Sequence, residues 1–189
     1  MLTDDEFAVL NGIYLKKMAS AATLAEITGL AEARIEECLE AAVGRGQVLG
    51  ISSDFMLQEG GAADVLEYYR TTYAPVRAEP AVAAWYAAFE ALNARFIAQV
   101  TEWQKSEGDD RSERRILQTA ERLARDLGAL QTTVPRYGNY VERLARASDR
   151  VDQGQHEFVC KPTIDSVHNI WFEFHEDILA VLGRPRDTT

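Results

Sequence analysis

Polar chemistry concentrates near the C-terminus of this 189-residue chain, where the three histidines, His156, His168 and His175, fall within twenty residues of one another. In the stretch TIDSVHNIWFEFHEDIL, Asp165, His168, Phe172 and His175 are spaced i, i+3, i+7 and i+10, so a helix over about 162–182 places them on one face. A carboxylate and two imidazoles on one face can ligate a metal when a second helix supplies further ligands. A di-iron bundle needs Glu-x-x-His on two helices, and here one Asp-x-x-His stands alone. Two other readings fit the same residues: histidines hydrogen-bonded in or at the rim of a helical bundle, or ligand contact by His168, Trp171 and His175. Cys160 follows His156 by four residues, but no third group is in place to orient a thiolate–imidazole pair. The chain has no Gly-rich phosphate loop, nucleophile elbow or His-Glu-x-x-His motif, and the expectation is that it is not an enzyme and carries no cofactor or metal.

The elements that position these residues are mostly helical. Only Gln47 to Gln58 reads as strand, a small hairpin of QVLGI and FMLQ around a polar SSD tip. Before it come helices over about 4–18, a short second one capped by Ser20 or Thr23 and ended by Gly29, and a third through Val43. After Gly60-Gly61 the chain turns helical again through Val76, and Pro80 marks a first helical position. Val82, Trp85, Phe89, Leu92, Phe96, Val100 and Trp103 then advance by threes and fours as one apolar stripe. Asp110 with Glu113 matches a capping box for a helix carrying Ile116, Ala120, Leu123, Leu127 and Leu130. Another starts near Thr133 and Pro135, with Tyr137, Val141, Leu144 and Val151 inward. The predicted fold is therefore mainly α: a module with a small β-hairpin over 1–77, then a four-helix bundle domain over 78–189.

Trp85, Tyr86, Phe89, Phe96, Trp103, Tyr137, Tyr140, Phe158, Trp171, Phe172 and Phe174 all lie in the helical half. At helical spacing these rings build a core. A bundle rich in Trp and Tyr can also enclose an apolar ligand oriented by a few polar groups, and Trp85, Phe89, Trp103, Tyr137, His168, Trp171 and His175 are the candidates for that role.

Residues 21–40, AATLAEITGLAEARIEECLE, have the spacing of a helix-turn-helix. Ala25 is small where two helices touch, Gly29 follows where the turn needs positive φ, and Ile35 faces back to the first helix. With a helix before it and a hairpin plus helix after it, the segment 4–76 resembles the winged-helix domain of MarR-type transcriptional regulators. The resemblance implies a third helix in the major groove, a wing on phosphate, a two-fold dimer, and a helical domain that senses a small aromatic or amphipathic ligand. On that reading double-stranded DNA is held by Arg34, Arg45, Lys16 and Lys17, aided by Ser52 and Ser53.

Charge runs against that implication. The chain carries 20 basic and 30 acidic residues, a formal charge of −10. Residues 1–77 hold twelve acids and six bases, and the outward positions of the third helix are Glu32, Ala33, Arg34, Glu36, Glu37 and Glu40. A DNA reader gains affinity by neutralising phosphates with Lys and Arg, and carboxylates oppose that gain. Nine arginines and five acids lie instead in 111–150, as a solvated face with i, i+4 partners or as a docking surface for an acidic partner. Two function classes follow: a ligand-sensing regulator, or a protein-interaction module or accessory subunit whose acidic winged helix docks on protein. With 47% hydrophobic residues, no apolar run of about 18 and an acidic N-terminus, the expectation is a folded cytoplasmic protein with no membrane partner.

Overall fold

A computed structural model describes residues 1–106 and 108–185; Glu107, in the polar SEGDDRS break, and 186–189, at the end of the expected second domain, lie outside them. The chain is mainly α and forms two compact units, Met1–Ala78 with the described part of Glu176–Thr189, and Glu79–His175.

In the first unit the order is α1 (Asp4–Lys16), β1 (Ala19–Ser20), α2 (Ala21–Thr28), α3 (Glu32–Gly44), β2 (Val48–Ile51), β3 (Asp54–Leu57), α4 (Glu59–Thr72) and α5 (Ala74–Arg77). This order is winged-helix-like. Thr3 and Glu6 cap α1 reciprocally, each side chain serving the other's backbone amide. Ser20 accepts from the Thr23 amide to start α2, and Gly29, at φ 73°, ends it with its amide on the Ala25 carbonyl. The hairpin falls on the expected residues, with Leu49 opposite Met56 and Ile51 opposite Asp54. Strand β1 was not expected; it is a two-residue strand that pairs Ala19 with Phe55, giving the sheet order β1-β3-β2. Such a short pairing leaves no periodicity to read, because the partner strand lies 35 residues away.

Leu10, Ile13, Leu24, Ile35 and Val65 are fully buried and make the core of this unit, with Phe7 stacked on Tyr68 at 3.9 Å. Tyr69 donates to Asn11 Oδ1 at 2.9 Å, which satisfies a buried amide between α1 and α4.

The second unit packs α6 (Pro80–Lys105), α7 (Asp110–Gly128), α8 (Tyr137–Asp152), a 3-10 turn at His156–Val159 and the first half of α9 (Val167–Leu182). Several local expectations shift: Leu130 lies beyond the end of α7, and α8 starts at Tyr137 rather than near Thr133 and Pro135. Asp109, not Asp110, caps α7, accepting from the Arg111 and Ser112 amides at 3.0 Å. Hydrogen bonds from Ser106 and Ser112 hold its carboxyl well below the usual carboxylate range. Glu113 is thereby left for another partner. In α8 the inward position is Arg143, while Val141 is half-buried. Finally, α9 begins at Val167 rather than near Pro162, because Asn169 Nδ2 donates to the carbonyls of Lys161, Pro162 and Ile164 and holds that segment as a turn. The C-terminal half of α9 belongs to the first unit, where Arg77 Nε donates to the Val181 carbonyl at 2.8 Å.

Candidate functional site

The surface a winged helix offers to a partner is the outer side of its third helix and its wing. On α3 the core side is Ile35, Cys38, Leu39 and Ala42, which turns Glu32, Ala33, Glu36, Glu37 and Glu40 outward. On the wing, the register puts Leu49, Met56 and Ile51 on one face, and these side chains are 48%, 37% and 41% exposed. Val43, at the end of α3, is also exposed. The surface is therefore acidic on the helix and apolar on the wing.

Each arginine of residues 1–77 has a partner inside the unit. Arg34 donates to Asp5 at 2.7 Å and to Glu37 at 2.9 Å, which raises its pKa further. Arg45 binds Glu6 at 2.8 Å and Gln47 Oε1 at 2.8 Å. Arg70 forks onto Glu67 one turn away. Arg77 is spent on backbone carbonyls of Tyr69, Arg70 and Val181. Of the expected DNA contacts, Lys16 is half-buried at the end of α1, and Lys17 follows it at φ 70°, its ammonium on the Tyr14 carbonyl and ring. Ser52 and Ser53 are exposed at the wing tip, with Ser52 at φ 56°. The i, i+3 pairing of Arg34 with Glu37 was readable in the sequence; the pairing of α3 and its end with Asp5 and Glu6 on α1 was not, because it needs the packing of two helices.

The aromatic candidates of the second unit pack on one another. Trp171 is fully buried, stacks on Phe96 at 3.9 Å and donates its indole N–H to Asn93 at 2.8 Å. Phe89 lies against Trp85, Trp171, Phe174 and His175, and Tyr137, fully buried, meets Phe174 edge-on. His175 Nε2 lies 3.5 Å from the Tyr86 hydroxyl, while His168 sits between Phe96 and Phe172. Trp103 stands apart near the end of α6, its indole nitrogen buried with no hydrogen-bond partner among the described residues. Of this set, Trp85 and Phe89 line a groove on the seam of α6 with α7.

The C-terminal polar residues go separate ways. Asp165 precedes α9 and, with Glu173, grips Arg143, whose side chain is 3% exposed. Burial lowers the pKa of His168. His156 pairs through Nδ1 with Glu113 at 2.8 Å, and that hydrogen bond raises its pKa. Cys160 accepts from Gln104 instead, and burial pushes its thiol up. Among the described residues no group of three or more His, Cys, Asp or Glu is arranged to hold a metal ion. No described helix is long and apolar enough to cross a membrane. Comparison with known proteins finds no matching family model, curated protein or solved structure.

Proposed function

We propose that the first unit is a protein-docking module, a winged helix that sets the outer side of α3 and the wing against a basic, partly apolar surface of another protein. One observation carries this reading: the face a DNA reader would place in the groove is lined by Glu32, Glu36, Glu37 and Glu40 beside exposed Leu49, Ile51 and Met56. Phosphate repels such a face, whereas apolar side chains at a rim of like charge are what a protein interface buries. A MarR-type regulator, dimeric and ligand-sensing, is the reading that topology alone favours. It requires a surplus of cations facing the groove, whereas the outer side of α3 sets Arg34 among Glu32, Glu36, Glu37 and Glu40, and residues 1–77 hold twelve acids against six bases. The accessory-subunit role follows: binding and positioning rather than catalysis.

The test uses fluorescence anisotropy with two probes at low and moderate salt, a labelled duplex DNA and a labelled amphipathic peptide of alternating Lys and Leu helical turns. The expected result is peptide binding that weakens with salt and is lost in the Leu49→Asp, Met56→Asp variant, with no duplex binding. Duplex binding that falls steeply with salt, or peptide binding indifferent to the wing variant, defeats the proposal.

A further inference from the structure

The seam of α6 with α7 in the second unit carries two adjoining grooves. The helices run antiparallel, with Gln99 meeting Thr119 at one end and the Trp85 indole donating to the Asp126 carbonyl at 3.0 Å toward the other. One groove, about 330 Å³, is lined by Arg95, Gln99, Arg115, Gln118, Thr119 and Arg122. Its neighbour, about 350 Å³, is lined by Trp85, Ala88 and Leu92 on α6 and by Leu123 with the charged Arg125 and Asp126 on α7, and Arg122 lines both.

Three arginines thus line one groove, which adjoins a second whose α6 side is apolar. Arg115 rests on Glu102 at 2.8 Å and Arg122 on Asp126 at 3.6 Å, both as exposed pairs that an incoming anion can displace at little cost. Arg95 is exposed and has no carboxylate partner among the described residues. The polar groove also has a built floor. Gln99 and Thr119 are 7% and 5% exposed and bond each other at 2.8 Å. The Thr119 hydroxyl that donates to Gln99 Oε1 also lies 2.9 Å from the Arg115 carbonyl, so its single proton serves one of the two at a time. A leucine in place of Gln99 would pack this seam without a polar group to satisfy, so the amide is a costly choice for structure alone.

We infer that this seam binds a small amphiphile: a single carboxylate or phosphate group held by Arg95, Arg115 and Arg122, with an apolar body lying along Ala88, Leu92 and Trp85. Arginine forks fit both oxyanions, and the charge-assisted bonds they make are the strong ones available at a surface. From Arg95 to Trp85 is ten residues of helix, about 15 Å, which a medium-length chain or a ring system spans. This site lies wholly in the second unit and is independent of the docking role given to the first.

Intrinsic tryptophan fluorescence and calorimetry, with octyl phosphate, octanoate, octanol and inorganic phosphate as probes, test it. Saturable binding of octyl phosphate or octanoate is expected, with Trp85 responding, and the tighter of the two identifies the head group. Arg95→Ala with Arg122→Ala should weaken that binding at least about tenfold, while Arg111→Ala leaves it unchanged; all are exposed positions, and circular dichroism confirms that each variant folds. The absence of saturation with either amphiphile, equal binding of octanol, or an unaffected double arginine variant overturns the inference. So does inorganic phosphate binding as tightly as octyl phosphate.

Discussion

Arg143 carries its charge inside the second unit, held by Asp165 on the turn before α9 and by Glu173 within it, with its guanidinium 5.4 Å from the Tyr140 ring. Removing the cation leaves two nearly buried carboxylates facing each other, the case in which a broken buried pair costs most. Arg143→Ala should therefore lower the unfolding free energy by about 3–5 kcal/mol, read from urea denaturation. The histidines titrate in opposite senses. His156, bonded to Glu113, has its folded pKa raised, so its contribution is complete below the unfolded value and is lost as pH rises through the folded one. Burial gives His168 the reverse sign: the unfolded chain binds the proton more readily, so stability falls as pH drops through the ordinary histidine range. An NMR titration should place His156 above the ordinary value of about 6.5 and His168 below it, and Glu113→Gln should return His156 toward that value. Of these partners the sequence hinted only at a capping role for Glu113.

At the scale of elements, the two glycines that open α4 make a paired test. A Cβ on Gly61 would meet the Gln47 carbonyl oxygen at 2.2 Å, because α4 packs its first turn directly on the backbone that enters β2. Around Gly60 nothing lies within 4 Å. Gly61→Ala should cost about 1–3 kcal/mol as the helix is pushed off the wing base, whereas Gly60→Ala should gain about 0.5–1 kcal/mol from helix propensity. Thermal unfolding of the two variants should move in opposite directions. Helix starts and stops were legible where a cap is local: Ser20, Gly29 and Pro80 fall at their expected positions, and the last helix ends at Leu182. The distant partners of those termini were not. The end of α9 offers a carbonyl to Arg77, which is 104 residues away in the chain, and no periodicity within the helix announces that.

For the whole molecule, the charge of −10 matters through its placement. Acids outnumber bases twelve to six over 1–77, while nine arginines against five acids lie over 111–150, within the second unit. If the acidic face of α3 is what keeps DNA away, reversing it should create binding on an unchanged fold. The Glu36→Lys, Glu37→Lys, Glu40→Lys variant should bind duplex DNA at low salt with a steep negative salt slope, by mobility shift, where the native chain does not. A variant that folds and still ignores DNA would show that the fold, and not its charge, withholds contact.

Composition, the 3.6-residue stripes, the AATLAEITGL spacing and the alternating hairpin were enough to point to a mainly helical chain with a winged-helix-like N-terminal unit, though not to its strand β1. These are signals between neighbours in sequence, and local geometry fixes them. Tertiary structure alone decided which charges remain free. Arg34 and Arg45 find Asp5 and Glu6 across α1, Arg143 is taken inward by Asp165 and Glu173, and Arg95 is left without a carboxylate among the described residues. A side chain's charge is written in the sequence, but its availability depends on what the fold brings within about 4 Å of it.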